Sequence, residues 1–411
     1  DEDDGPLVQP CACRGSAKLV HEHCLERWRR TSPKEDAAYR CGQCMNGYRD
    51  ALSLELLSAR LQAERTAGQS TSSTLSTLAS ELSAQGKFDE AEPLYCEALE
   101  LQRETLGNRH PRTLGSINNL GLLLKDKGDL AAAEPLFREA LVVQRETHGS
   151  RHPNTLVYIN NLGALLNDKG DLAAAEPLYH EALEGRRETL GNRHPHTLGS
   201  INNLGSLLKA KGDLAAAEPL LREALEARRE TLGNRHPYTL LSINHLGSLL
   251  HDKGDLTAAE PLYHEALEGR RETLGSQHPS TLRSIHNLGL LLKVKGDLAA
   301  AQPLYREALE VKHETLGNRH PNTLATFRNL GLLLQAKGNL QAAETLYREA
   351  LWLRREILGS GHPSTLRSKK IFDRLLKATR ATPPPGPAAE PLLCERNRRR
   401  ATREGPKSNL L

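Results

Sequence analysis

The chain has 411 residues, of which 38% are hydrophobic, 4% aromatic and 26% charged, with a formal net charge of +4. That length accommodates two or three domains, no run reaches the roughly 18 consecutive apolar residues a membrane span requires, and the acidic start Asp1-Glu2-Asp3-Asp4 is the reverse of a signal peptide's basic end. The charge excess resides in the last residues, where seven Lys or Arg from Arg380 onward face three acids, so with few aromatics and a neutral body nucleic-acid binding finds little support.

Chemistry concentrates at the start. Five of the seven Cys fall within the first 44 residues, in the string Pro10-Cys11-Ala12-Cys13-Arg14-Gly15-Ser16, then His21-Glu22-His23-Cys24-Leu25-Glu26-Arg27-Trp28, then Cys41-Gly42-Gln43-Cys44. Three closely spaced ligand pairs, Cys-x-Cys, His-x-x-Cys and Cys-x-x-Cys, predict zinc in a reducing compartment rather than a disulfide framework. A segment this short, with almost no apolar core, needs a metal to fold.

Residues 1–49 resemble the RING-CH (RING-variant) zinc finger of ubiquitin ligases, through Pro-Cys-x-Cys-x-Gly-Ser, His-x-x-Cys-Leu-x-x-Trp and the closing Cys-x-x-Cys. The resemblance implies two zincs in a crossed arrangement. The ligands matching Cys11, Cys13, Cys41 and Cys44 hold one of them, and that set is complete in this chain. The other needs an opening Cys-x-x-Cys besides His21 and Cys24; the opening pair is absent, residue 1 is not Met, and the pair is expected upstream. Family spacing selects His21 over His23. It also implies that Trp28 touches a ubiquitin-conjugating enzyme, an anchoring role in the small domain being the alternative. Such ligases act by positioning, with no covalent intermediate.

Next, Ala51 to Arg65 carries Leu52, Leu54, Leu56, Leu57 and Leu61 and predicts a short helix, followed by a polar linker, so 50–70 is assigned as helix and linker. From 71 to 364 the chain repeats itself. Glycine recurs at Gly86, Gly128, Gly170, Gly212, Gly254, Gly296 and Gly338, and His-Pro from His110-Pro111 to His362-Pro363, both in steps of 42 residues, which makes seven units. In Thr113 to Lys127 the apolar set Leu114, Ile117, Leu120, Leu124 lies on one helix face. Gly128 then supplies a left-handed C-cap and Asp129 an N-cap for a second helix through Ala133, Phe137, Ala140 and Leu141. Each unit is therefore predicted to be a helical hairpin. Pro93, Pro135, Pro177, Pro219, Pro261 and Pro303 fall inside the second helices, where a slight bend is expected but no break. Small residues such as Gly121 and Ala133 mark close approach of the two helices. The fold class is all-α: an α-α superhelical solenoid of seven hairpins after a small zinc-binding domain.

The order Leu120-Gly121, Leu124, Gly128, Ala133, Phe137, Ala140 is similar to the tetratricopeptide repeat, and Glu134-Pro135-Leu136 with Leu190-Gly191-Asn192-Arg193-His194-Pro195 resembles its kinesin light chain class. The chain lacks the heptad coiled coil by which a kinesin light chain joins its motor. The resemblance implies a concave groove that binds extended peptides through Asn119, Asn161, Asn203, Asn287 and Asn329, with His245 departing from the pattern. One position earlier lie Asn118, Asn160, Asn202 and Asn244, then His286 and Arg328. A carboxamide suits that task because it offers both donor and acceptor to a peptide backbone; copies bonded to a neighbouring helix are the alternative. The repeated histidines read as helix-start punctuation rather than metal ligands.

Residues 365–379 are expected to cap the solenoid, and 380–411, with Pro383-Pro384-Pro385-Gly386-Pro387, to form a disordered basic tail. A cytoplasmic protein is expected, the run from Arg396 to Arg403 reading as a solvated tail or a nuclear signal. Two functions follow: a RING-CH-type ubiquitin ligase whose groove recruits a protein substrate, and a non-enzymatic scaffold or cargo adaptor with a degenerate zinc finger. Neither involves a small-molecule substrate.

Overall fold

The computed structural model describes residues 7–8, 20–21 and 51–381, with side chains from 53 to 377. The basic tail therefore lies outside the described residues, as do Cys11, Cys13, Cys24, Cys41, Cys44 and Trp28. Contacts divide the chain into two units, Asp1–Lys211 and Gly212–Leu411.

The first unit opens with a two-residue pair of strands, β1 (Leu7–Val8) and β2 (Val20–His21), antiparallel with Leu7 opposite His21 and Val8 opposite Val20. Eight helices follow: α1 (Ala51–Thr66), α2 (Ser72–Ala84), α3 (Phe88–Leu106), α4 (Pro111–Lys127), α5 (Leu130–His148), α6 (Pro153–Asp168), α7 (Leu172–Leu190) and α8 (Pro195–Lys211). The second unit contains α9 (Leu214–Leu232), α10 (Pro237–Asp252), α11 (Leu256–Leu274), α12 (Pro279–Lys295), α13 (Leu298–Leu316), α14 (Pro321–Ala336), α15 (Leu340–Leu358) and α16 (Pro363–Ala381). The helix expected at 51–65 runs one residue longer, and the terminal helix begins at Pro363 because His362-Pro363 starts it as the same pair starts the repeats.

The boundaries follow from local chemistry. Each His-Pro pair is a complete start signal. Proline takes the first helical position, where its missing N–H costs nothing, and the histidine is the N-cap, His110 Nδ1 accepting from the Arg112 N–H at 3.1 Å and His278 Nδ1 from the Ser280 N–H at 3.1 Å. Second helices are capped by aspartate: Asp129 Oδ1 accepts from the Ala132 N–H at 3.0 Å, and Asp255 Oδ1 from the Ala258 N–H at 3.0 Å. Gly128, at φ 93°, ends α4 in the left-handed region expected of it. The helices that contain proline, such as α5 with Pro135, are continuous across it, so the missing hydrogen bond does not end them.

Within each unit, consecutive hairpins pack through one repeating core. In the second hairpin Leu114, Ile117, Ala133, Phe137 and Ala140 are fully buried. Gly121 is what allows this close approach, since an added Cβ would lie 2.9 Å from the Phe137 ring. The space is made for the aromatic ring of the partner helix rather than for a backbone crossing at Ala133. Exposed ion pairs trace the same period: Arg103 with Glu139 at 2.7 Å, Arg145 with Glu181 at 2.6 Å, Arg271 with Glu307 at 2.5 Å, and Lys253 with Glu218. Half-exposed pairs of this kind add only about 0–1 kcal/mol each. The buried stripe supplies most of the stability and the pairs help to fix register.

Helix α1 precedes the repeats but is not a loose tether. Leu57 and Leu61 are buried, Arg65 reaches Glu97 of α3 at 2.5 Å, and Glu64 links Arg60 and Thr74 at 2.7 and 2.8 Å. Helix α1 is thereby docked on the first hairpin.

Candidate functional site

Of the expected zinc ligands, only His21 falls on a described element. It sits in β2 opposite Leu7 of β1. Cys11, Cys13, Cys24, Cys41 and Cys44 lie outside the described residues, so the pairing fixes the register of His21 alone. Four cysteine thiolates, Cys11, Cys13, Cys41 and Cys44, are a donor set that fits a closed tetrahedral structural zinc. His21 and Cys24 are two further residues of ligand type.

In the repeats, the asparagines expected to line the groove occupy successive first helices. Asn119 is exposed, while Asn161, Asn203, Asn287 and Asn329 are half-buried. Those one position earlier lie deeper: Asn118, Asn202 and Asn244 are buried, and Asn160 half-buried. The two rows are linked between hairpins. Asn161 Nδ2 donates to Asn118 Oδ1 at 2.8 Å, Asn203 Nδ2 to Asn160 Oδ1 at 3.0 Å, and Asn287 Nδ2 to Asn244 Oδ1 at 2.8 Å. Asn329 Nδ2 stands 3.4 Å from His286 Nδ1, an imidazole held below its usual range by burial and by the nearby Lys312 and Arg328. The neighbouring-helix bond thus exists, and it engages only part of each carboxamide: a second N–H of the donor and a lone pair of the acceptor lie outside it.

A second repeating constellation was not read from the sequence. Position 186 and its equivalents at 228 and 270 are arginines only 3 to 6% exposed. Arg186 Nη1 donates to Ser200 Oγ at 2.7 Å and to the His196 carbonyl at 3.1 Å. Arg228 repeats this with Ser242 and the Tyr238 carbonyl at 2.6 and 3.1 Å, and Arg270 with Ser284 and the Ser280 carbonyl at 2.7 and 2.9 Å. Arg186 and Arg270 also reach the Leu156 and Leu240 carbonyls at 3.4 and 3.5 Å. None of the three is paired with a carboxylate among the described residues, and loss of hydration lowers the pKa of each, that of Arg270 to about 10. Arg354 and Lys312 make the corresponding bonds to Ser368 and Thr326 at 2.5 and 2.9 Å.

The first hairpin departs from this plan. Gln102 stands where the third, fourth, fifth and seventh hairpins carry arginine, and it is 5% exposed with no donor to its Oε1. Around it is a cavity of about 460 Å³ lined by residues of α2, α3 and α4, among them Ser72, Ser76, Glu81, Gln102, Arg112 and Ser116. Along this wall α2 carries polar side chains where later first helices carry leucine. Ser72 occupies the register of the buried Leu114, Leu156 and Leu198, and Glu81 that of Leu123 and Leu165. In the sequence the signal is a set of breaks in an otherwise strict 42-residue copy.

Comparison with known proteins places these regions. Residues 70–356 match the tetratricopeptide repeat in six overlapping segments, and residues 1–44 match the RING-variant domain. Over 52 residues the chain is 44% identical to E3 ubiquitin-protein ligase MARCHF5 of Xenopus laevis, a match covering 12% of this chain and 18% of that relative. Thus the chain spans about a fifth of the length of the curated relative it matches. Among solved structures, yeast Tom70 aligns over 91% of this chain and 68% of its own with 16% identity and a TM-score of 0.53, which shows the fold. A kinesin light chain with nearly identical TPR-like repeats from Podosopora anserina aligns over 50% of this chain and 97% of its own, with 26–27% identity over the two structures and a TM-score of 0.46.

Proposed function

The chain belongs to the tetratricopeptide repeat family, and from that premise we propose that it is a RING-CH-type ubiquitin ligase, its head positioning a ubiquitin-charged conjugating enzyme and its groove holding a protein substrate. The observation that carries the proposal is the RING-variant match over residues 1–44 joined to repeats of a family built for protein interaction. The donors Cys11, Cys13, Cys41 and Cys44, with His21 and Cys24, are the residues that would hold zinc. Bound there, zinc supplies cross-links that fold a segment without a core. Trp28, four residues after Cys24, is assigned to the face that meets the conjugating enzyme. Six residues separate Cys44 from α1, which packs through the buried Leu57 and Leu61.

On the substrate side, the exposed Asn119 and the half-buried Asn161, Asn203, Asn287 and Asn329 offer the unengaged part of each carboxamide to an extended backbone. Asn118, Asn160, Asn202 and Asn244 support them from beneath. No helix of the described residues is long and apolar enough to cross a membrane, and a cytoplasmic location suits a thiolate-bound zinc.

The test is single-turnover discharge of ubiquitin from a charged conjugating enzyme onto free lysine, with the full chain and its Trp28→Ala variant. At least about a tenfold loss of rate in the variant is expected, equivalent to about 1.4 kcal/mol of transition-state stabilisation. Equal rates for protein, variant and buffer across a panel of conjugating enzymes would overturn the proposal. One observation favours a second reading: the protein-interaction repeats account for residues 70–356, far more of the chain than the RING-variant match over residues 1–44. Under that reading the head is a folding module and the protein a scaffold, with Trp28→Ala leaving partner binding intact.

A further inference from the structure

We infer that the cavity beside Gln102 is a binding pocket for an arginine side chain of a peptide ligand, an inference that rests on the groove reading above and names the residue class it selects. The protein itself shows what fits. In the later hairpins a guanidinium lies against a serine hydroxyl fourteen residues on and a main-chain carbonyl ten residues on, as Arg186 does with Ser200 and the His196 carbonyl. For Gln102 of the first hairpin the residues bearing those acceptors are Ser116 and Arg112 of α4, and both line the cavity. The internal arginine is replaced there by Gln102, too short to fill the space. In the second hairpin Gln144 Nε2 lies 3.2 Å from His152 Nδ1, and the buried Tyr158 replaces the serine, so that copy closes on itself.

The lining is biased toward acceptors. Ser76 Oγ donates to the Ser72 carbonyl at 2.9 Å and Thr77 Oγ1 to the Ser73 carbonyl at 2.9 Å, which commits both hydroxyl protons to their own helix and leaves lone pairs toward the cavity. Gln102 Oε1 is buried without a donor, an unfavourable state that an incoming N–H would relieve. The Glu81 carboxylate adds negative charge to the wall, with the exposed Arg112 at the rim as the one cation among the lining residues. A guanidinium matches this set better than an ammonium, because its five N–H donors lie in a fixed plane and can reach several separated acceptors at once.

The experiment is a titration of the full chain with N-acetylarginine amide, followed by amide and side-chain carboxamide NMR shifts, with N-acetylcitrulline amide as the neutral isostere. Saturable shifts centred on Gln102 and Ser116 are expected with arginine. Citrulline should bind about tenfold or more weakly, since the hydrogen bonds it loses are charge-assisted. Gln102→Arg copies the later hairpins and should fold with unchanged circular dichroism while abolishing the shifts, and Ser116→Ala should weaken them. Equal responses to arginine and citrulline, shifts that survive in a folded Gln102→Arg, or no saturable shift at all would each overturn the pocket. Neither ubiquitin nor a conjugating enzyme enters this titration. Failure here removes the arginine pocket and leaves the ligase reading standing, whereas failure of discharge does the reverse.

Discussion

The first hairpin and those that follow it are built on one 42-residue plan, yet they hold themselves together differently. From the second hairpin on, first helices are capped by histidine and second helices by aspartate, or by Asn339 at α15. In the first hairpin neither Thr71 at α2 nor Lys87 at α3 makes a side-chain cap bond. Later hairpins fill their interior with leucine, and the third, fourth and fifth with a buried arginine; the first carries Ser72, Glu81 and Gln102 there and lines an open polar cavity. Copies that serve only the scaffold are free to be self-sufficient. The copy that departs from them gives up packing and caps, and gains an open, hydrogen-bonding interior next to the helix that leads to the zinc head.

The largest effect should come from the leucine that the first hairpin lacks. Leu156→Ala removes a fully buried side chain and should cost about 2–5 kcal/mol in urea unfolding, whereas Ser72→Ala, at the same register, should stay within about 0.5 kcal/mol. Equal losses would erase the distinction between the two hairpins. Gly121→Ala comes next, at about 1–3 kcal/mol, because its Cβ would press on Phe137.

Caps offer the reciprocal exchange. Asp129→Ala should cost about 0.5–2 kcal/mol, and Lys87→Asp should return a similar amount to α3. Hydrogen exchange should show α2 and α3 opening before α4 and α5 in the parent chain and no longer doing so with Lys87→Asp. The histidine caps add a pH dependence. Burial and then the charge of Arg270 hold the His278 imidazole below its usual range, and its Nδ1 accepts the Ser280 N–H only while unprotonated. A group whose folded pKa is depressed contributes stability that is complete above its unfolded value of about 6.5 and is lost as pH falls toward the folded value. Thermal unfolding should therefore drop more steeply between about pH 7 and pH 5 in the parent than in His278→Ala. The smallest effect belongs to the surface ladder: Arg271→Ala should cost about 0.2–1 kcal/mol, diminishing as salt is added.

Much of the repeat fold was legible because its signals are local. Leu114, Ile117, Leu120 and Leu124 fix a helix face, Gly128-Asp129 a turn, and His110-Pro111 a start. The start signal was read as punctuation, and its mechanism, an imidazole acting as the cap, required the hydrogen-bond geometry. Gly121 was read as close approach, but its partner, the Phe137 ring sixteen residues on, emerges only when the hairpin closes. The candidate site was less legible. Asn118 and Asn161 are 43 residues apart and their bond depends on the stacking of hairpins. Arg186 and Gln102 were invisible for another reason: arginine and glutamine on a second helix are ordinary surface residues in a sequence, and their burial is a property of packing. The RING-variant head is the opposite case: its Cys and His pairs stand out by spacing alone, while Cys11, Cys13, Cys41 and Cys44 lie outside the described residues.

The most direct measurement is the zinc content per chain, by native mass spectrometry, of the protein and of Cys41→Ser. The account predicts one tightly bound zinc in the parent, held by Cys11, Cys13, Cys41 and Cys44, and its loss in the variant with the repeats still helical. A parent without zinc, or a variant that keeps it, would contradict a metal-folded RING-CH head on this scaffold.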